Sequence, residues 1–443
     1  MRSILIIGAG RSSAYLIEYL LKHAQSGSWK VTVADSSLEL ARSGAGNHTH
    51  SIAIQLDIRD RSALSLVVRK HEIVVSMLPP NFHPEVAKEC LAAGKHLVTA
   101  SYVSEEMAAL DTEAKEKGLI FLNEVGLDPG IDHMSAMEVI ERIRSEKGEL
   151  ISFKSWCGGL VAPSSNDNPW GYKFSWNPRN VILAGKGVAR YREEGKLKFV
   201  PYERLFSDAE KVNVAGHGMY EGYLNRDSLT YLKPYGIEDV ETMKRGTLRM
   251  RGFCEAWNAL IRIGLTDDSW NLPNKDDMTW PELISSFLPE GKGSLKQRLA
   301  NFLEVSASSQ VIKKLEWLEI FRDKRIISPG RSPAQALQIL LEEKWKLKER
   351  DKDMILMQHE FIYKIKGKKR TITSTLIEEG KDPVHTAMAR TVGLPLAIAV
   401  RLIALNKIRS RGVLIPILPE FYVPVMKELA ELGIRFRETQ KLR

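Results

Sequence analysis

Cysteine is scarce in this chain of 443 residues: Cys90, Cys157 and Cys254 are the full set, and no two stand in a C-x-x-C spacing. That excludes a disulfide framework and a zinc knuckle and suits a reducing compartment. Long apolar stretches are missing too. No uninterrupted run of about 18 apolar residues occurs, and a strand pattern begins just after Met1, so neither a membrane span nor a secretory leader is expected. No His, Cys, Asp and Glu cluster shows ligand spacing, so no metal is expected. A charge excess of one sign is nearly absent as well: 64 basic residues stand against 55 acidic ones, interspersed, for a net +9. The basic knot "KIKGKKR", Lys364 to Arg370, separates two strand-like stretches and reads as a solvated hairpin turn around Gly367. A nucleic-acid partner is therefore not expected, whereas the mild basic balance suits a small polyanionic substrate. A cytoplasmic, soluble protein is the expectation.

What is present begins with "IIGAGRSSAYLIEYLL". Ser3 to Ile7 reads as a buried strand, Gly8 and Gly10 as a turn, and Ser12 to Ala24 as a helix. In a dinucleotide site the first glycine permits the tight turn and the second lets the backbone approach the pyrophosphate. Ser13 stands where a third glycine is usual. It is small enough for close packing, and with Ser12 it can donate to phosphate at the helix N-terminus. The next strand, Val31 to Ala34, ends on Asp35, whose carboxylate suits adenine-ribose hydroxyls and repels an added phosphate. NAD is expected, with NADP as the alternative; a helix cap is the plainer role for Asp35.

Strands near Ile52 to Leu56, Ile73 to Met77, His96 to Ala100 and Leu119 to Asn123 alternate with helical stretches such as "HPEVAKECLAAG". This predicts an α/β, Rossmann-type doubly wound parallel sheet, whose ligands sit beyond the carboxyl ends of strands. The loops there are expected to hold cofactor: Asp57 and Ile58 beside the adenine, Met77, Leu78 and Pro79 near pyrophosphate and ribose, and Ser101 with Tyr102 toward the nicotinamide.

The loops "TASYVS", "GLDPGIDHM", "WCGGLVAPSSNDNPWGYKFSWNPRNV", "NRDSL" and "RGTLRMRGF", with "TVGLPLAIA" and "PEFYVPVMKELAELGIRF", together resemble the saccharopine dehydrogenase family, in its glutamate-forming branch. The resemblance spans nearly the whole chain. It implies a pyridine-nucleotide enzyme that oxidises the secondary amine of saccharopine to an imine, which water splits into L-glutamate and 2-aminoadipate 6-semialdehyde, reversibly, in lysine metabolism. It places Asp128, Tyr102 and Cys157 at the proton-transfer region, without deciding which is the base. It adds Arg226, Thr247, Leu248 and Arg249 to Ser101, Tyr102 and Asp128 as substrate contacts, and Gly126, Leu127 and Ser175 as cofactor contacts. A homodimer is implied. Val161 and the Ser164–Ser165 pair depart from the family's "GGLPAPE". Related enzymes acting on polyamines or lysine, and a catalytically inactive NAD-binding regulator, are the alternatives.

The chemistry requires groups that remove a proton from the amine and activate water. Asp132 reads as the N-cap of "HMSAMEVIERI". His133 and His217, without a motif, read as structural. Cys157 fits either a small buried filler or a catalytic thiol. Residues 1–124 with about 390–443 are expected to form the dinucleotide-binding domain, 125–257 with 354–389 an α+β substrate and dimerisation domain, and 258–353 an all-helical insertion.

Overall fold

Short β-branched and aliphatic runs such as "RSILII" and "WKVTVAD" form β1 (Arg2–Ile7), β2 (Trp29–Asp35), β3 (Ser51–Gln55), β4 (Ile73–Ser76), β5 (His96–Thr99) and β6 (Ile120–Leu122). The computed structural model describes residues 2–224, 227–273, 278–326 and 331–442. The sheet runs β3-β2-β1-β4-β5-β6 and ends on the strand Gly412–Leu414, with every pair parallel. Strand order reverses between β1 and β4. That is the switch point where a doubly wound sheet opens a crevice beyond its carboxyl ends. The final strand was not legible: three residues, "GVL", carry no period, and they join the sheet only because the C-terminal segment returns to it.

Two compact units divide the chain. Unit 1 runs to Glu149 and adds Ile365–Gly367 and Glu378–Arg437; unit 2 takes Leu150–Lys364, Lys368–Ile377 and the segment from Glu438. Residues 125–149, expected in the second domain, lie in unit 1, because the helix Ile131–Ser145 packs on the helix Pro419–Glu431. Within unit 1 the helix Ala387–Ala404, long and apolar enough by composition to cross a membrane, is largely buried and packs along the helix Ala14–Lys22.

Unit 2 is built on a mixed sheet. Its long strand β7 (Glu149–Val161) runs parallel to Thr242–Met250, which pairs antiparallel with Gly218–Leu224. The basic knot is the turn of a hairpin between Asp353–Ile365 and Lys368–Glu379, with Lys366 and Gly367 both at positive φ. The expected helices of 258–353 form at Trp280–Ser286, Leu295–Leu303, Gln310–Trp317 and Pro333–Lys344, the last begun by a Ser332 capping box. They are not a separate body: Trp257, Trp280 and Trp345 share one core with Trp156 and Trp170. Each such fully buried aromatic contributes on the order of 2–3 kcal/mol.

Candidate active site

In unit 1 the opening turn is shaped by close approach. Gly8 has φ +103°, and a Cβ on it would stand 3.0 Å from the Met77 carbonyl oxygen. The glycine therefore lets β1 and the loop after β4 meet at the switch point. A Cβ on Gly10 would meet nothing within 4 Å, so the turn leaves open space on that side. Ser13 is buried; its Oγ donates to the Gly10 carbonyl at 2.7 Å and its N–H to the same oxygen at 3.1 Å. The Ser13 hydroxyl thus closes the turn, and Ser12, half-buried, precedes it. The tight approach allowed for a third glycine occurs elsewhere: a Cβ on Gly393 would lie 2.8 Å from the Leu16 nitrogen.

Asp35 stands at the end of β2. Its Oδ2 accepts from the Ala9 N–H at 2.8 Å and its Oδ1 from the Ser37 N–H at 2.9 Å. It is therefore a clamp on the glycine turn. The cap of the following helix is Ser37, which accepts from Leu40. Asp57, in the loop after β3, is held by the exposed Arg59 fork, which lowers its carboxyl to about 2; Ile58 is half-buried beside it. Met77 and Leu78 are half-buried and Pro79 exposed, at the mouth of the loop after β4.

Beyond β5, the Tyr102 hydroxyl donates to Asp128 Oδ1 at 3.2 Å. Both side chains are half-buried, so the pair is reachable yet held. Asp128 sits in a turn fixed from both sides: Gly126 N–H donates to the Pro129 carbonyl at 2.9 Å, and a Cβ on Gly130 would lie 2.1 Å from the Gly126 oxygen. Leu127 is buried, and its carbonyl accepts from the Asp132 N–H at 3.1 Å. Asp132 is not the cap expected: Gly130 occupies that place, and Asp132, inside the first turn and buried, accepts from the Gly130 N–H at 2.6 Å. The cause is the glycine-rich turn, which starts the helix two residues early.

A buried acid–imidazole pair supports this turn and was missed in the sequence. Glu124 Oε2 lies 2.8 Å from His133 Nε2, while Glu124 Oε1 accepts from the Val103 N–H at 3.0 Å. Glu124 adopts φ +60°, a left-handed conformation uncommon outside glycine and a signal visible only in three dimensions. A second polar group, His83, bridges Ser76 and Ser101 beneath the ends of β4 and β5. His217 is exposed at a turn.

Unit 2 carries its own cluster. Thr247 pairs in register with Cys157 on one side and Tyr223 on the other, so the three share one face of the sheet. Arg249 lies two residues on, on that same face. It is buried, with its guanidinium 5.0 Å from the Tyr172 ring centre and 5.4 Å from that of Phe253. Its Nη1 donates to the Leu248 carbonyl at 3.0 Å and its Nε has no protein acceptor. Among the described residues it has no carboxylate ion-pair partner, an arrangement that fits a carboxylate arriving with a ligand. Leu248 points to the opposite face, fully buried, where a Cβ on Gly158 would come within 2.9 Å of its own Cβ. Gly246 of "RGT", with Gly222 on the neighbouring strand, leaves room for the Trp156 ring, so these glycines have a packing cause. Ser175 is buried in the loop after the strand-like Phe174, which bonds the Trp345 carbonyl at 2.8 Å. Arg226 lies outside the described residues. Among those described, no metal-binding cluster of His, Cys, Asp and Glu occurs.

A parallel sheet with a glycine turn at its switch point, and an acid–hydroxyl pair beyond its strand ends, defines a nicotinamide-dinucleotide oxidoreductase. Residues 4–122 match the family model "Saccharopine dehydrogenase NADP binding domain" and residues 126–434 "Saccharopine dehydrogenase C-terminal domain". The chain belongs to the saccharopine dehydrogenase family. It is 37% identical to "Saccharopine dehydrogenase [NADP(+), L-glutamate-forming]" of Pyricularia oryzae, over 99% of this chain and 98% of that protein. The solved structure of apo saccharopine dehydrogenase (L-Glu forming) from Saccharomyces cerevisiae superposes with a TM-score of 0.90 at 34% identity, covering 100% of both chains. A homospermidine synthase of Legionella pneumophila, solved with NAD, shares the fold at TM-score 0.55 and 9% identity, covering 100% of this chain and 91% of that one. That likeness is one of fold alone. The preference for NAD expected from Asp35 finds no support in the Pyricularia relative or in the family model, both of which carry NADP in their names. Asp35's observed role as a clamp on backbone N–H groups explains why an acid there is a poor guide to the cofactor.

Proposed function

We propose that this chain oxidises saccharopine with NADP and water to L-glutamate, 2-aminoadipate 6-semialdehyde and NADPH, reversibly, within lysine metabolism. The observation that carries the reading is the Tyr102–Asp128 pair, held beyond the strand ends of a glycine-cradled sheet in a chain similar over its full length to L-glutamate-forming enzymes. The residues fit a dinucleotide: Gly8 admits the close approach, Gly10 leaves space beside the turn, and the helix Ala14–Lys22 opens its N-terminus there. When bound, the nicotinamide accepts the hydride from the carbon beside the secondary amine. Asp128 takes the proton of that amine, with the Tyr102 hydroxyl orienting its carboxylate, passes it to solvent, and takes a proton again when water adds to the imine; returned to the nitrogen of the adduct, that second proton lets L-glutamate leave. Arg249 and Thr247 recognise carboxylate, and the family resemblance of "NRDSL" gives Arg226 the same role. Cys157, beside Thr247 in the sheet, orders water or substrate at that face.

NADP as the cofactor rests on the relatives' names, and Asp35 tests it. Asp35→Asn should weaken NADPH and NADH binding by similar factors, because it loosens the turn that both share. A change of the NADPH to NADH ratio by tenfold or more would instead make Asp35 a ribose reader and return the argument to NAD. The function itself is tested by following reduced nicotinamide absorbance with saccharopine, lysine or a carboxyspermidine-type amine. Turnover of saccharopine alone is expected; turnover of the polyamine in its place would select the rival reading, and dinucleotide binding without turnover of any would select the regulator. A reducing cytoplasm completes the proposal, supported by three buried thiols outside any disulfide and checked by fractionation; a homodimer rests on the family resemblance and is checked by light scattering.

A further inference from the structure

His83 lies where β4 and β5 end, and it is buried, with 4% of its surface exposed. Its Nδ1 stands 2.8 Å from Ser76 Oγ, and its Nε2 stands 2.7 Å from Ser101 Oγ and 3.3 Å from Thr99 Oγ1. Burial pulls its value down to about 4, so the ring is neutral and carries one N–H. A proton count decides where. Ser76 is 1% exposed, and its hydroxyl bonds only Nδ1. If Nδ1 carried the proton, the Ser76 hydroxyl would be a buried donor without an acceptor, and the Ser101 and Thr99 hydroxyls would compete for the single Nε2 lone pair. With the proton on Nε2, Ser76 donates to Nδ1, and Nε2–H donates to Ser101 at the shorter distance. Two hydroxyl protons then lack a protein acceptor: that of Thr99, whose Oγ1 still accepts from the Ser101 N–H at 3.3 Å, and that of Ser101, whose side chain is half-buried. With Ser101, the shorter contact, taking the Nε2 lone pair, the first arrangement leaves two fully buried donors unmet, Ser76 and Thr99, whereas the second leaves one, Thr99, because Ser101 is half-buried.

We infer that His83 is a positioning residue whose Nε2–H occupies the Ser101 oxygen and so turns the Ser101 hydroxyl proton outward, presenting a donor to an acceptor oxygen of the bound ligands. That oxygen belongs either to the nicotinamide carboxamide or to a substrate carboxylate. Ser101 is half-buried, while its main chain is pinned: its carbonyl accepts from the Glu124 N–H at 3.1 Å. The hydroxyl is thus set in place and polarity by His83 and by the pinned main chain. The proposal rests on the saccharopine reading for its substrate arm.

Two measurements test it. Long-range proton–nitrogen spectra of the full-length wild type should show His83 protonated at Nε2 and bare at Nδ1 at neutral pH; the reverse tautomer overturns the inference without reference to any activity. The second is a double-mutant cycle. His83→Leu and Ser101→Ala should each lower kcat/KM by on the order of tenfold, the size expected for one positioned hydrogen bond, and the double variant should be no worse than Ser101→Ala. His83→Gln, whose amide N–H replaces Nε2–H, should recover most of the loss. Costs that multiply, or a His83→Leu enzyme with wild-type kinetics, overturn the proposal. A fall in NADPH affinity by fluorescence titration assigns the acceptor to the carboxamide, and a rise in saccharopine KM assigns it to the carboxylate. If His83→Leu does not fold, His83→Gln against His83→Asn completes the same cycle. If the wild type does not turn over saccharopine, the functional reading fails by itself and the tautomer still decides this one.

Discussion

The Asp128 carboxylate and Tyr102 hydroxyl are 3.2 Å apart, and that contact survives replacement of the acid by its amide, because Asn still offers an acceptor oxygen. Asp128→Asn therefore isolates charge from shape. We expect turnover of saccharopine to fall by about a hundredfold, the scale of a lost general base, with NADPH affinity within twofold of wild type. Parallel loss of NADPH binding would make Asp128 a support of the turn and remove it from the chemistry. Tyr102→Phe, which removes only the orienting hydroxyl, should be milder. At this scale the sequence shows which loops lie beyond the strands, and hence Asp128, Tyr102 and Ser101. It does not show Glu124 bonded to His133, because that contact requires a left-handed backbone at a residue with no glycine signature. Nor does it show that Ser13 bonds its own turn, since a hydroxyl suits phosphate and carbonyl equally well.

At the scale of elements, the helices Ala14–Lys22 and Ala387–Ala404 carry the cradle, and they meet at Gly393. A Cβ there would stand 2.8 Å from the Leu16 nitrogen and 3.4 Å from both the Ser12 carbonyl oxygen and Tyr15 Cβ. Backbone cannot step aside as a flexible side chain would, so Gly393→Ala must part the helices or bend one. Overpacking of this kind costs about 1–3 kcal/mol. The expected result is a lower melting temperature together with weaker NADPH binding, since the displaced turn holds Ser12 and Ser13. An unchanged melting temperature would show that the contact relaxes freely. The reading of elements from the sequence was strongest where the period was long, as in "SPAQALQILLEEK", and where loops alternated regularly with strands. It was weakest where an element depends on a partner far along the chain. Neither the strand Gly412–Leu414 nor the Gly393 contact has a local cause.

Over the whole molecule, the acid response falls unevenly on the two units. Burial lowers His83 and His96 from 6.5 to about 4 and lowers His71 as well, all three in unit 1. The Nδ1 of His96 accepts from the Ile120 N–H at 3.1 Å, a bond that needs the neutral ring. For each, the folded value lies below the unfolded one, so between pH 6.5 and about 4 the unfolded chain binds protons that the native chain refuses. The stability is complete above that window and is lost as pH falls through it, by roughly 1–3 kcal/mol for fully buried His83 and less for His96. Two groups of the same unit oppose this: His385 is raised chiefly by its hydrogen bond to Glu18, and Glu378 by burial. They are fewer, and His385 is partly exposed, so the three histidines prevail. In unit 2 the displaced acids Asp167, Glu193, Asp267, Asp268 and Glu319 are lowered, and their contributions persist until the pH drops below the ordinary carboxylate range. Unit 1, with three such histidines against the single buried His359 among the described residues of unit 2, should therefore loosen first. Hydrogen exchange at about pH 5, corrected for intrinsic rates and compared with neutral pH, should show protection falling in β4, β5 and β6 while β7 and the strand Thr242–Met250 keep theirs. His96→Gln, which retains an acceptor for Ile120 but cannot be protonated, should flatten part of the decline. Equal loss in both units, or earlier loss in unit 2, would show that the buried histidines do not govern acid stability.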